Sequence, residues 1–390
     1  MSTIYYLGII ILAGIFTAKV LRKVNFPNVT GYLIAGILIG HNVLNLVPQD
    51  IVTELNIVSD VALGFIAFSI GSSFRIADLK KQGASTIVIT LMESLTAMLC
   101  VLLVLLFVLQ EDLPFALMLS SIACATAPAA TLMVIRQYNA HGPLVDTLLP
   151  VVALDDAVSI IAFGVSSSVA KAVLNGSSAN FTTMFLVPVW EIILALSIGI
   201  ALGFCLVFFL KHSSSEGNYL NLEIGIILVG IGLAIYFQIS SLLLCMAVGA
   251  VVANTLPNPS KAFNILTPLT TPIFLAFFTI SGAALDLKAL INVGLVGIAY
   301  FVVRSIGKWL GAYFSCKMFK KEKTVTHYLG IALMPQAGVA LGLSLTAANL
   351  IGGSHGMQVR TVILATTVIY ELIGPLAAKY ALKKAGEIQV

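Results

Sequence analysis

Two acidic residues stand side by side in the stretch Val151-Val-Ala-Leu-Asp155-Asp156-Ala-Val-Ser159, inside an apolar run from Leu144 to about Ala172. That run is long enough to cross a bilayer, which takes roughly 20 residues. A carboxylate at membrane depth costs several kcal/mol, so a pair must be stabilised or used. The chemistry open to such a pair is the binding of protons and small cations. Neighbouring residues on a helix point about 100° apart, so the two aspartates cannot share one role by symmetry. Repulsion at close range disfavours two full charges, and a nearby base lets one persist. Val303-Arg304-Ser-Ile-Gly307-Lys308-Trp-Leu-Gly311 supplies candidates. Arg304 and Lys308 are four apart, hence on one helix face, and Lys308 is also a candidate proton carrier.

Two further stretches bear on the pair. Ala123-Cys-Ala-Thr126-Ala127-Pro128-Ala-Ala-Thr131 and Leu333-Met-Pro335-Gln336-Ala-Gly338-Val-Ala-Leu-Gly342 each put proline inside an apolar run. Proline removes an N–H and clashes with the preceding turn. In lipid the freed groups need partners, so unwound backbone is tolerated only against protein or a wet cavity. Two crossed breaks would aim half-helix dipoles and bare carbonyls at one point near the midplane. Glu93 and Glu371, the latter in Tyr370-Glu-Leu-Ile-Gly-Pro375, are additional intramembrane carboxylates. We read both as structural or gating contacts, Gln336 as a candidate polar ligand, and His327 as a possible modulator of pH response.

The elements that must position these residues are membrane helices. Of 390 residues, 59% are hydrophobic and 10% charged, against about 25% charged in soluble domains. The net charge of +4 is too small to suggest a nucleic-acid partner, and five scattered cysteines have no metal-ligand spacing. The start, Met-Ser-Thr-Ile-Tyr-Tyr, reads as the first span and not as a cleaved leader. Hydropathy gives an all-α polytopic protein with thirteen spans, near 3–21, 29–47, 57–74, 84–109, 114–137, 144–172, 185–210, 219–237, 239–256, 262–284, 290–316, 325–350 and 358–382. Breaks fall at charged or Pro/Gly/Asn clusters such as Arg22-Lys23-Val-Asn-Phe-Pro27.

With that count, sixteen lysines and arginines fall on one side, including Arg75, Lys80, Lys81 and the cluster from Lys317 to Lys323. Lys171, Lys288 and Arg360 fall on the other. The positive-inside rule then puts the C-terminus in the cytoplasm and the N-terminus outside.

The chain also repeats itself. Gly64–Gly71 running to Ala77-Asp78-Leu79 resembles Phe274–Gly282 running to Leu285-Asp286-Leu287, and Gly31–Gly36 resembles Leu243–Gly249. Each match is offset by seven spans, and an odd offset inverts the second copy. The expected layout is one repeat at about 3–172, a linker helix at about 185–210, and a second repeat at about 219–382. Inverted repeats of six spans with interrupted helices are a layout of secondary transporters.

On Gly31-Tyr-Leu-Ile-Ala-Gly36, Thr126-Ala-Pro128, Leu154-Asp155-Asp156-Ala157, Gly307-Lys308 with Gly311, and Pro335-Gln336-Ala-Gly338-Val-Ala, the chain resembles the monovalent cation:proton antiporters. These are sodium/proton exchangers of the NapA-like and Kef-like kind, and the likeness runs from about Phe26 to Pro375. The resemblance implies the NhaA/NapA-like fold in a multi-pass protein of the bacterial inner membrane. It implies a homodimer with a dimerisation part and a six-helix core, here about 57–172 and 262–382, that moves like an elevator. It implies that Asp156 carries the cation or protons in alternation and that Asp155 pairs with Lys308 when no cation is bound. Thr126, Thr131 and nearby carbonyls would complete the site. An Asp-Asp pair goes with electrogenic exchange of two protons per cation. Two positions depart from the pattern: Ala127 stands where many relatives have an acidic residue or serine, and Gln336 where others often carry arginine.

The mechanism expected is competition. Na⁺, Li⁺ or K⁺ cannot share Asp156 with a proton, and either ligand lowers the cost of moving the site past an apolar barrier. No cofactor is expected. Alternatives are a K⁺/H⁺ antiporter or Kef-like K⁺ efflux system, and a Na⁺-coupled organic-anion symporter of similar layout. An intramembrane aspartyl protease is disfavoured, because adjacent aspartates cannot clamp one peptide carbonyl from both sides. A potassium channel would need a filter loop, and none is visible.

Overall fold

A computed structural model describes residues 2–23, 26–72, 74, 76, 84–175, 187–213, 215–284 and 294–388. The loop charges Arg75, Lys80, Lys81 and Lys288, and the repeat ends Ala77–Leu79 and Leu285–Leu287, lie outside the described residues. In chain order the helices are α1 (Thr3–Arg22), α2 (Asn28–Ile39), α3 (Gln49–Glu54), α4 (Asn56–Gly71), α5 (Ser85–Leu103), α6 (Leu113–Ile122), α7 (Pro128–Gln137) and α8 (Pro143–Asn175). They continue as α9 (Val187–Lys211), α10 (Glu216–Phe237), α11 (Ser241–Thr255), α12 (Pro259–Ala284), α13 (Gly294–Met318), α14 (Lys323–Ala332), α15 (Gly338–Ile351) and α16 (Gly353–Ala385). Helix is what lipid selects, since it satisfies every backbone group within the segment.

Among the described residues, nine stretches are long and apolar enough to cross a membrane. The four other expected spans contain shorter helices. Those at 29–47 and 239–256 hold α2, of 12 residues, and α11, of 15. At about 1.5 Å per residue, α2 rises only about 18 Å. The spans expected at 114–137 and 325–350 are each a pair of short helices, α6 with α7 and α14 with α15.

Contacts divide the chain into two compact units. The first comprises Met1–Val24, Gly31–Gly83 and Trp190–Ala284; the second comprises Asn25–Thr30, Ala84–Val189 and Leu285–Val390. In this division α4 and α12 belong to the first unit. The reason is close packing through glycine. A Cβ on Gly36 would lie 2.0 Å from Thr279 O, and one on Gly282 would lie 2.2 Å from Leu33 O, so α2 and α12 cross in contact. A Cβ on Gly71 would lie 2.3 Å from Met246 O, and one on Gly249 would lie 2.1 Å from Phe68 O, so α4 and α11 do the same. Small residues at such crossings let backbones approach where lipid supplies no hydrophobic drive. These four helices carry the sequence matches noted above.

In the second unit α5 packs on α13, α6 on α8, and α16 on α14 and α15. The same glycine device recurs: a Cβ on Gly307 would lie 2.7 Å from Ala97 Cα, and one on Gly311 would lie 2.5 Å from Glu93 Cα. The glycines flanking Lys308 therefore bring α13 flush against the helix that carries Glu93.

Candidate functional site

The site is built where two helices stop and restart. After α6, residues 123–127 leave the helix, and Pro128 opens α7 at its first position. There its missing N–H costs nothing and its fixed φ suits the helix. After α14, residues 333–337 leave the helix, and Gly338, with φ +25°, opens α15. The two breaks meet: Ala127 N–H donates to Pro335 O at 2.8 Å.

A helix end strands carbonyls, and these form the negative pole of its dipole. Residues of α13 answer them here. Arg304 is fully buried. Its Nε donates to Ala123 O at 3.0 Å, Nη2 to Ala125 O at 2.6 Å and Nη1 to Met334 O at 2.9 Å. One guanidinium thus ties both breaks together, and it stacks 4.5 Å from the ring centroid of Tyr370. Tyr370 in turn donates its hydroxyl to Phe301 O at 2.8 Å. Gln336 Nε2 donates to Ile122 O at 2.9 Å and lies the same distance, 2.9 Å, from the Tyr300 hydroxyl. The remaining break carbonyls meet threonines. Thr126 Oγ1 approaches Leu333 O at 3.5 Å, and Thr131 Oγ1 approaches Ala332 O at 3.4 Å. Hydrogen bonds of that length are weak.

The expectation of bare carbonyls at the crossing therefore does not hold. Unpaired buried carbonyls are costly, and Arg304, Gln336 and Lys308 cap them.

Lys308, also fully buried, is the hub of the acidic groups. Its Nζ lies 2.8 Å from Asp155 Oδ2 and 2.8 Å from Glu93 Oε2, and donates to Cys124 O. Ser94 Oγ donates toward Asp155 Oδ1 and lies 3.0 Å from Glu93 Oε1. Glu93 thus shares one ammonium with Asp155, while Arg304 serves the backbone. Asp156, on the same turn of α8, is buried within electrostatic reach of Asp155 and Lys308. Its Oδ1 has no hydrogen-bond partner among the described residues. The same is true of Oε2 of buried Glu371 on α16. His327 lies apart from this cluster, with Nδ1 2.6 Å from Lys323 O and its ring against Tyr313.

Sequence reasoning missed three contributors. Ser94 follows Glu93 directly, and Tyr300 precedes Arg304 by one helical turn, so both were within reach of a spacing argument. Tyr370 precedes the acidic Glu371 that drew attention instead.

A family model described as the transmembrane sodium/hydrogen exchanger matches residues 7–384. Among solved structures, the chain resembles the sodium proton antiporter MjNhaP1 from Methanocaldococcus jannaschii at pH 8. The identity is 19% and the TM-score 0.76, covering 99% of this chain and 98% of that one. An electron-microscopy map of the same antiporter gives 18% identity and a TM-score of 0.79 over the same shares, 99% and 98%. At such identities the likeness speaks to the fold. The comparison with curated proteins found no match. With the family model spanning nearly the whole length, the chain belongs to the transmembrane sodium/hydrogen exchanger family, and is a multi-pass membrane transporter and not an enzyme.

Proposed function

We propose that the chain exchanges Na⁺ for protons across a membrane, with Asp156 as the residue at which the two compete. The observation that carries this reading is the buried, unpartnered Oδ1 of Asp156 beside an Asp155 whose oxygens are engaged. Charge balance supports it. Glu93, Asp155 and Asp156 lie around Lys308 while Arg304 is taken up by backbone carbonyls, so the fully ionised set is short of positive charge. In a low-dielectric interior that deficit favours uptake of a cation or a proton. Either ligand neutralises the set and lowers the cost of carrying it past an apolar barrier, whereas the empty site stalls. Thr126 and Thr131, whose hydroxyls are only weakly held, are the uncharged oxygen donors we assign to the cation.

In this reading exchange is electrogenic, because Lys308 and Asp155 form a second proton-linked pair: cation entry at Asp156 loosens the ammonium from its carboxylate. The two crossing glycine pairs of the first unit support an inverted repeat, since each partner in one pair has its sequence match in the other. We further assign thirteen spans, elevator movement of the core at about 57–172 and 262–382, a homodimer, and a bacterial inner membrane with the N-terminus outside.

The test is a pH-sensitive dye assay in proteoliposomes, with Na⁺, Li⁺ and K⁺ offered in turn and the membrane potential clamped or free. Na⁺-driven proton release in the native protein and none in Asp156→Ala is expected. Exchange that survives Asp156→Ala overturns the assignment. A response to K⁺ alone makes the protein a K⁺/H⁺ antiporter on the same site.

A further inference from the structure

Glu371 lies near the middle of α16, 4% exposed, and its Oε2 meets no hydrogen-bond partner among the described residues. One turn earlier on the same helix face stands Thr367, 1% exposed, whose hydroxyl is also without a partner among the described residues. A hydroxyl in a membrane helix ordinarily turns back to the carbonyl one turn before it. On α16, Thr361 does so with Met357 O at 2.9 Å and Thr366 with Val362 O at 2.8 Å. Thr367 does not, and a buried oxygen left unpaired is costly. Side chains on a helix lean toward its N-terminus, which carries Glu371 toward the turn of Thr367. Pro375, inside the helix four residues on, withholds the N–H that Glu371 O would accept, and so frees a main-chain oxygen as well. This face abuts the second break: a Cβ on Gly374, one turn beyond Glu371, would lie 2.8 Å from Pro335 Cγ.

Charge separates these oxygens from the cluster around Lys308. Asp156 feels Asp155 and Lys308, whereas no charged side chain among the described residues acts on Glu371. Charges in a low-dielectric interior act over many ångströms. Glu371 therefore lies beyond the reach of Lys308 and of both aspartates, and one ion cannot be held by Asp156 and Glu371 together.

We propose that Glu371 and Thr367 form a second site for a monovalent cation, beside the second break and separate from Asp156.

The donor set suits such an ion. One carboxylate cancels one positive charge, and the hydroxyl and the freed carbonyl add neutral oxygens. A divalent ion would keep a net charge in apolar surroundings, which is expensive. A bare carboxylate at this depth costs several kcal/mol. A proton shared between the two side chains would draw their oxygens to hydrogen-bond distance, and Glu371 and Thr367 are not so bonded. Oxygens around a cation stand apart, because the ion lies between them. The part of this site in exchange rests on the antiport reading: once filled, it leaves no bare charge at Glu371 to be carried past an apolar barrier. The binding itself does not rest on that reading.

Binding of radiolabelled Na⁺ to the purified full-length protein at alkaline pH, with Rb⁺ as the stand-in for K⁺, separates the two. The native protein should hold two cations per chain, Asp156→Asn one, Glu371→Gln one, and the double variant none. In the Asp156→Asn background, Thr367→Val should weaken the remaining binding about tenfold, and Thr367→Ser should restore it. Glu371→Gln and Thr367→Val keep side-chain size and remove only unpaired groups, so their unfolding temperatures should equal or exceed the native value. A merely structural role for the two residues would leave cation stoichiometry unmoved. Loss of all binding in Asp156→Asn overturns the second site, as does binding in Asp156→Asn that survives Glu371→Gln. A single cation lost in Glu371→Gln and kept in Asp156→Asn upholds the second site while the reading of Asp156 falls.

Discussion

Asp155 takes the Lys308 ammonium at 2.8 Å and the Ser94 hydroxyl, while Oδ1 of Asp156, one residue on, meets no donor among the described residues. The two carboxylates should therefore respond differently to the same change. Asp155→Asn keeps an oxygen for Ser94 and leaves Lys308 its Glu93 partner. We expect a folded protein with reduced but measurable exchange. Asp156→Asn removes only an unpaired charge, so stability holds or rises while exchange drops by about 100-fold or more, the equivalent of about 2.7 kcal/mol. Thermal unfolding in detergent beside proteoliposome flux checks both. Equal loss of exchange in the two variants would show that they do not divide the work.

Lys308 stands between Glu93 and Asp155 with no solvent to screen any of the three. Removing one partner of a buried ion pair typically costs about 3–5 kcal/mol, because the remaining charge is stranded. Lys308→Met should lower the unfolding temperature sharply, with two carboxylates left facing each other. Adding Glu93→Gln and Asp155→Asn to it should restore most of the loss. A triple variant as unstable as the single one would mean that Lys308 acts through packing and not through charge.

The acidic pair, the basic face of α13 and the two proline breaks were legible because each breaks the apolar pattern of its span. A charge in lipid and a proline in a helix are conspicuous locally. What Arg304 does was not legible. Four-residue spacing puts Arg304 and Lys308 on one face, but it does not say that one turn of α13 lies against stranded carbonyls and the next against carboxylates. That depends on where α6 and α14 end, which tertiary contact decides. Gln336 was hidden likewise: its partner is Ile122 O, 214 positions away. The shortness of α2 was masked by apolar loop residues after Ile39, which hydropathy counts as span.

Arg304 donates from three nitrogens to three carbonyls on both breaks. A lysine offers one point charge on a flexible stem and cannot span that fork. Arg304→Lys should cost at least the two hydrogen bonds left unmade, each about 1.5–3 kcal/mol for a charged donor. It should also loosen the contact of Ala127 N–H with Pro335 O, read as faster amide exchange at residues 123–127 and 333–337. Native-like protection of both breaks in that variant would show that the crossing holds without the guanidinium.

Gly249 offers a test of packing that leaves the charged site alone. A Cβ there would lie 2.1 Å from Phe68 O, and backbone cannot move aside as a flexible side chain can. Gly249→Ala must therefore push α11 off α4. Overpacking of this kind costs about 1–3 kcal/mol, more where both neighbours are main chain. Gly282→Ala, 2.2 Å from Leu33 O, should behave alike on α12 and α2. Gly225 on α10 is the control: a Cβ there meets nothing within 4 Å. Gly225→Ala should leave stability unchanged or raise it by up to about 1 kcal/mol through helix propensity. Unfolding temperatures of the three purified variants decide the matter. If Gly249→Ala tracks Gly225→Ala, the helices of the first unit are not held by backbone contact, and the pairing of the sequence repeats through those glycines loses its physical basis.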